Sequence, residues 1–395
     1  MKSKFVRFGI GALGICLGIA ACGGGSSGTG SNAPAMLTKI GPGEGALNII
    51  VWAGYAEYGQ DDPTVDWVTP FQQRTGCKVN AKIANTSDEM VSLMSTGQYD
   101  GVSASGNATL RLMAGGTAAP INVNLLTNYA DINPSLKDQP YNTYQGVHYG
   151  VPHGWGANLL MWRTDVVKPA PDSWGAVFDP NSPYKGHITA YDDPIYIADA
   201  ALYLKSTRPD LNITDPYELD NTQFQAAVSL LKVQRTVIGQ YWSDYTKEQA
   251  AFANRDSVVG TTWQVITNLL LNDKNPTPVQ AIVPKEGSTG WSDTWMMDAH
   301  AAHPNCMYLW MNWITTPNVQ SQVAQWFGEA PANLKACDII AKTDANFCTT
   351  YHVGDAIFLH NLALWKVPLT NCGDSRGNVC KGYADWLHAW TDIKG

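Results

Sequence analysis

The stretch Leu47-Asn48-Ile49-Ile50-Val51-Trp52 is an apolar run of strand length, and its surroundings decide how it is used. A short apolar run without alternation reads as a strand buried on both faces. Beyond a loop, the spacing predicts a helix from Val65 to Thr75 that stops at Gly76. Cys77 to Ile83 alternates as a second strand. Thr86 with Glu89 forms a capping box ahead of a helix from Met90 to Met94, and Tyr99 to Ser103 reads as a third strand running into Ala104-Ser105-Gly106-Asn107. Strand, helix, strand, helix, strand predicts a parallel sheet, whose ligands sit beyond the carboxyl ends of its strands. Trp52 and Ser105 fall at such ends.

Further along, the Gly-rich run Tyr149 to Gly156 leads into an apolar strand, Asn158 to Trp162, and reads as a chain crossing between lobes. A second alternating set follows. It comprises a short helix from Trp174 to Phe178, a strand from His187 to Tyr191, a helix from Phe224 to Val233, a helix from Lys247 to Asn254 opened by Thr246 with Gln249, and a strand from Val258 to Trp263. Val279 to Pro284 leads back, Trp291 and Asp293 are read on a loop after Gly287 and Gly290, and Met307 to Ile314 and Val319 to Trp326 read as helices. Of the 15 Trp, Trp155, Trp162, Trp174, Trp310, Trp313 and Trp326 stand at apolar periodic positions and are expected in the core. Asp298, His300 and His303 have a spacing that could suggest a metal, but three polar groups on a loop are expected to be solvated. No nucleophile elbow, phosphate loop or dinucleotide fingerprint occurs, so neither an enzyme nor a cofactor is expected.

The amino terminus sets the location. Lys2, Lys4 and Arg7 precede an apolar run, Ile10 to Ala21, of signal-peptide rather than membrane-spanning length. It ends Ile19-Ala20-Ala21-Cys22, which resembles a bacterial lipobox with Cys22 as the lipidated residue. A Gly/Ser tether follows. The expected product is an extracytoplasmic protein held to a bacterial membrane by lipid alone. Without Lys2, Lys4 and Arg7 the chain keeps 23 basic against 34 acidic residues, a net charge of −11, which disfavours nucleic acid and suits a cationic partner. Of the eight Cys, setting aside Cys16 in the signal and Cys22 leaves six, an even number in an exported chain that points to disulfides; short spacing favours Cys337 with Cys348 and Cys372 with Cys380, leaving Cys77 with Cys306.

Several motifs then match one family in order: Trp52-Ala53-Gly54-Tyr55, Tyr99-Asp100 with Ser105, Tyr149 to Gly156, Ser173-Trp174 with Tyr184-Lys185-Gly186, and Val283 to Gly287 followed by Trp291-Ser292-Asp293. From about Leu47 to Leu334 the chain resembles the spermidine/putrescine-binding proteins of bacterial ABC importers. The resemblance implies a two-lobed α/β fold of the type II periplasmic-binding-protein kind, with discontinuous lobes and a hinge. The expected organisation is 1–21 signal peptide, 22–46 anchor and tether, 47–153 first lobe, 154–284 second lobe, 285–335 return to the first lobe, and 336–395 a Cys-rich helical segment packing on both. By resemblance, Trp52, Tyr55, Trp263 and Trp291 are aromatic walls, Ser105 a polar contact, and Asp193 and Asp293 the carboxylates that take ammonium ends. The chain departs from the family at Ala53, Asn107, Tyr196 and Glu329. An acid is lost at Tyr196 and one gained at Glu329, which joins the expected ligand set and moves the anionic pole. The implied function is capture of a polyamine or related small cation by a monomer that hands it to a membrane permease, without metal or cofactor. The alternatives are a sugar or other small solute in the same cleft, or a surface sensor without a transporter.

Overall fold

Two sheets organise the chain, and the order of their strands shows where it passes from one to the other. The computed structural model describes residues 36–60 and 62–395; the signal segment, Cys22 and most of the tether lie outside them. The first sheet runs in the order Ala330–Pro331, Gly150–Ala157, Thr289–Met297, Gly101–Ser105, Ala46–Val51, Lys78–Ile83, with Ala363–Leu364 pairing beside Thr289–Met297. The three amino-terminal strands are mutually parallel, as the alternation predicts. Thr289–Met297 lies antiparallel to the strands on either side of it. The second sheet runs in the order Val279–Ile282, Leu159–Arg163, Val259–Thr262, Ile188–Tyr191, Ile238–Trp242.

The chain therefore crosses at Asn158 and again between Ile282 and Thr289. The crossings are laced together. Asn158 donates its backbone N–H to Thr289 O at 2.9 Å and its side-chain amide to Thr289 Oγ1 at 2.6 Å, and Ser288 Oγ donates to the Asn158 carbonyl. Two adjacent strands joined by so few residues form a hinge of the kind that absorbs domain rotation.

Local chemistry explains most elements. Helix Val68–Thr75 ends because Gly76 turns left-handed at φ 73°, where a Cβ would be strained. Its Phe71 packs edge-on against Trp310 with ring centroids 5.1 Å apart. Thr86 caps helix Ser87–Met94 by accepting from Glu89 N, but Glu89 reaches back to Asn85 N, one residue short of a full capping box. Helix Tyr245–Ala253 is capped by Asp244, which accepts from Thr246 N, rather than opened by Thr246 with Gln249. The Asx cap wins because a carboxylate reaches the first-turn N–H groups and favours the positive end of the helix.

Two readings of the sequence are corrected outright. Tyr149 to Gly156 is largely a buried strand, its glycines letting neighbouring chains approach, and the crossing comes just after it. Trp291 and Asp293 lie inside a nine-residue buried strand in the middle of the first sheet, not on a loop. Trp155, Trp162, Trp174 and Trp310 are core as expected, whereas Trp313 and Trp326 are only half-buried. All three expected disulfides are formed, Cys77–Cys306, Cys337–Cys348 and Cys372–Cys380.

Beyond the return strand, the chain continues as a tail that touches both sheets' layers. Ala363–Leu364 pairs with Thr289 and Gly290. Helix Tyr383–Lys394 buries Trp386, Trp390 and Ile393, with Trp386 near Phe224 and Tyr217, while its Tyr383 hydroxyl donates to Asp88. Lys394 and the Trp390 indole both donate to Asp192. No helix among the described residues is long and apolar enough to cross a membrane.

Candidate functional site

The two sheets direct strand ends toward one cleft. Trp52 follows Ala46–Val51, Ser105 closes Gly101–Ser105, and Trp263 follows Val259–Thr262, so residues at the carboxyl ends of parallel strands meet across it. The cleft encloses about 140 Å³, and the rings that line it include Trp52, Trp263, Trp291, Trp326, Phe327 and Trp365. Asp293 and Glu57 are its acids, and among the described residues no Lys, Arg or His lines it.

The rings are fixed from behind. Trp52 and Trp263 stand edge to face at 6.2 Å. Trp263 donates its indole N–H to Asn158 Oδ1 at 3.0 Å, which ties a cleft wall to the first hinge crossing. Thr289, the partner of Asn158, donates in turn to buried Asp199 at 2.7 Å. Trp291 lies over Gly156, where a Cβ would come within 2.6 Å of the indole. Trp365 stacks on Tyr191 with centroids 5.7 Å apart and planes inclined 13°.

Asp293 is placed by pairing. It stands opposite Ser105 on one side and Gly154 on the other, and the register shifts between Asp293 and Thr294 on the Gly154 side. Such an irregularity re-aims side chains. Its carboxyl is 2 % exposed; Ser105 Oγ donates to Oδ1, and the Tyr55 hydroxyl lies 2.7 Å from Oδ2. The same hydroxyl lies 2.7 Å from Glu329 Oε2. Glu329 precedes Ala330, which pairs with Trp155, and its carboxyl fills the space a side chain at Gly154 would take, 2.4 Å from that absent Cβ. His153 Nε2 lies 3.5 Å from Glu329 Oε1.

Burial governs the electrostatics here. It pushes Asp293 up to about 7 against hydrogen bonds from Ser105 and Tyr55 that pull the other way. Burial also drives Glu329 well above the carboxylate range; the Tyr55 hydrogen bond opposes this and Asp293 adds to it. His153 falls to about 3, again through burial, so its ring is neutral at ordinary pH.

Of the residues singled out in the sequence, Trp52, Ser105, Trp263, Trp291 and Asp293 lie together on the cleft wall. Tyr55 and Glu329 lie behind Asp293. Asp193 is not on that wall: it is 2 % exposed, accepts from Ile195 N at 2.9 Å in the turn before helix Tyr196–Thr207, and burial pushes it up to about 7. Tyr196 turns into the second sheet's core, where Gln234 donates to its hydroxyl. Asn107 is buried and accepts from Ser87. Asp298, His300 and His303 form no metal-binding group among the described residues; His303 pairs with buried Asp100 instead. The sequence reading assigned Trp326 to the core, although it lines the cleft, and missed Tyr245, Phe327 and Trp365. The short apolar run Leu362 to Trp365 was the available signal for the last.

Comparison with known proteins fits this geometry. Residues 66–347 match the family described as bacterial extracellular solute-binding protein. The spermidine/putrescine-binding periplasmic protein of Escherichia coli K12 is 26% identical over 291 residues, covering 73% of this chain and 79% of that protein. The putrescine-binding periplasmic protein PotF of the same organism is 24% identical over 316 residues, covering 75% and 80%. A structure from Listeria monocytogenes, assigned to a spermidine/putrescine ABC transporter, superposes with a TM-score of 0.71 at 19% identity, covering 89% of this chain and 99% of that one. The fold is thus the two-lobed type II arrangement of periplasmic binding proteins. With the match spanning most of the chain, this chain belongs to the bacterial extracellular solute-binding proteins.

Proposed function

We propose that the protein is the capture subunit of an ABC importer and closes its lobes on a polyamine or related small cation, without chemistry. The observation that carries this is the cleft itself: a buried carboxyl, Asp293, among Trp rings, with no basic side chain on the wall among the described residues. A carboxylate or phosphate solute would meet two acids and, among the described residues, no cation to offset them. An ammonium gains about 0.5–2 kcal/mol from each well-placed Trp face, and the carboxylate adds a charge-assisted hydrogen bond. A methylene chain between amines would lie along the indoles, and closure at the laced crossings would remove it from water. The names of the relatives support the same class of solute. In this reading the protein works as a monomer outside the cytoplasm, held by lipid at Cys22, and delivers to a membrane permease.

Thermal-shift and calorimetric titration with putrescine, spermidine and agmatine beside neutral sugars and dicarboxylates tests it. An amine is expected to raise the melting temperature in a concentration-dependent way. A response to a sugar or a dicarboxylate with none to any amine would refute the cationic reading.

A further inference from the structure

The carboxyls behind the cleft hold more acceptors than donors. Tyr55 has one hydroxyl hydrogen, yet its oxygen lies 2.7 Å from both Asp293 Oδ2 and Glu329 Oε2. One hydrogen serves one of them. If both carboxyls were ionised, the other contact would press a lone pair against a lone pair in a site that excludes water. The second contact requires a hydrogen brought by a carboxyl.

The neighbours decide which one brings it. Gln320 Oε1 accepts from the Asn333 backbone N–H at 3.2 Å, so the Gln320 amide nitrogen is the atom 3.2 Å from His153 Nδ1. Nδ1 must then accept, which puts the ring's hydrogen on Nε2, facing Glu329 Oε1 at 3.5 Å. His153 thus offers a long contact from a neutral N–H and no cation. Tyr351, which feels the charge of Glu329, is a phenol that itself accepts from Asn268. Asp293 has Tyr191 within electrostatic reach and shares the cleft wall with Glu57. No Lys or Arg is paired with either carboxyl among the described residues. Asp293 keeps a second donor in Ser105 and opens to the cleft; Glu329 is 1 % exposed, and its Oε1 has no close partner. A buried carboxylate so poorly solvated is far costlier than its acid form.

We infer that Glu329 stays protonated and donates its hydrogen to the Tyr55 oxygen, which turns the Tyr55 hydrogen toward Asp293 and leaves the pole one negative charge, on Asp293. Glu329 is then a positioning residue rather than a second carboxylate for the ligand. On the cationic reading of the cleft, this pole takes a single ammonium, and any other amine of the ligand must be satisfied elsewhere.

Two measurements separate this inference from that reading. In the first, on ligand-free protein at pH 8, the infrared spectrum of wild type minus E329Q is expected to show the carbonyl stretch of a protonated carboxylic acid. Should E329Q fold poorly, ¹³C-carboxyl glutamate labelling in an E248Q background reads the same band, because Glu248 is another buried glutamate held above its usual range by burial. Absence of the band overturns the inference whether or not any amine binds; its presence with no amine binding leaves the inference standing and removes the cationic reading. In the second, with whichever amine shifts the melting temperature, E329Q is expected to stay within ~3-fold of wild type and to keep its pH profile, while D293N loses at least ~30-fold. An E329Q loss as large as that of D293N would show Glu329 to be ionised and would also overturn it.

Discussion

Asp293 and Asp193 make an instructive pair. Both are 2 % exposed, and burial pushes both to about 7. By burial and titration they are indistinguishable. They differ in company: Asp293 faces a cavity of indoles and receives Ser105 and Tyr55, while Asp193 turns back on its own chain to cap Ile195 and has the charges of Asp88, Arg111 and Asp192 in its surroundings. A displaced titration marks a buried acid; the wall it faces marks a binding acid.

The largest effect expected from this contrast is on affinity. D293N should weaken amine binding by at least ~30-fold, whereas D193N, whose amide oxygen can still accept from Ile195, should change it by less than ~3-fold. Calorimetric titration of both variants checks this, and equal losses would erase the distinction. A smaller effect should come from the wall: W263A is expected to cost about 10-fold in affinity through lost ring contact. N158A should reproduce part of that loss, since the Asn158 side chain holds the Trp263 indole in place while also bonding Thr289 at the crossing.

A separate effect concerns stability, where the two acids should behave alike. Asp193, Asp199 and Asp293 are each raised to about 7 by burial, so the folded chain holds protons that the unfolded chain releases near 4. Their stabilising contribution is complete below about 4 and is lost as pH rises through about 7. Ligand-free protein should therefore melt lower at pH 8 than at pH 5, with each group contributing on the order of 1 kcal/mol per pH unit across that window. D199N should flatten the profile, and a melting temperature that rises across this range would contradict the account.

The amino-terminal third was legible because its signals are local. Strand length, alternation and the Gly76 stop need no distant partner, and they placed Trp52 and Ser105 at strand ends. Resemblance supplied Trp291 and Asp293, but their setting was misread, because Gly287 and Gly290 look like loop residues. Gly290 is instead a close-packed strand position, where a Cβ would meet the Gly156 carbonyl at 2.8 Å. Asp193 stood beside a proline in a pattern equally fit for a turn, and a turn is what the hydrogen bond to Ile195 makes of it. Glu329 was visible as an acid out of place, but its role depends on Tyr55, 274 positions away, and on the hydrogen count between them. Trp365 was hidden for the same reason, since only pairing of residues 363–364 with 289–290 brings it to the cleft.

Trp365 carries a consequence for how such a receptor can change its taste. The family match ends at residue 347, so this ring comes from a segment outside the stretch that makes the chain a family member. Its backbone is held by Gly290 O at 2.7 Å, one residue from Trp291. On the proposed reading of the cleft, the tail is an interchangeable jaw: replacing residues 362–366 would alter which solute is admitted while the hinge, the lobes and the Asp293 pole stay as they are.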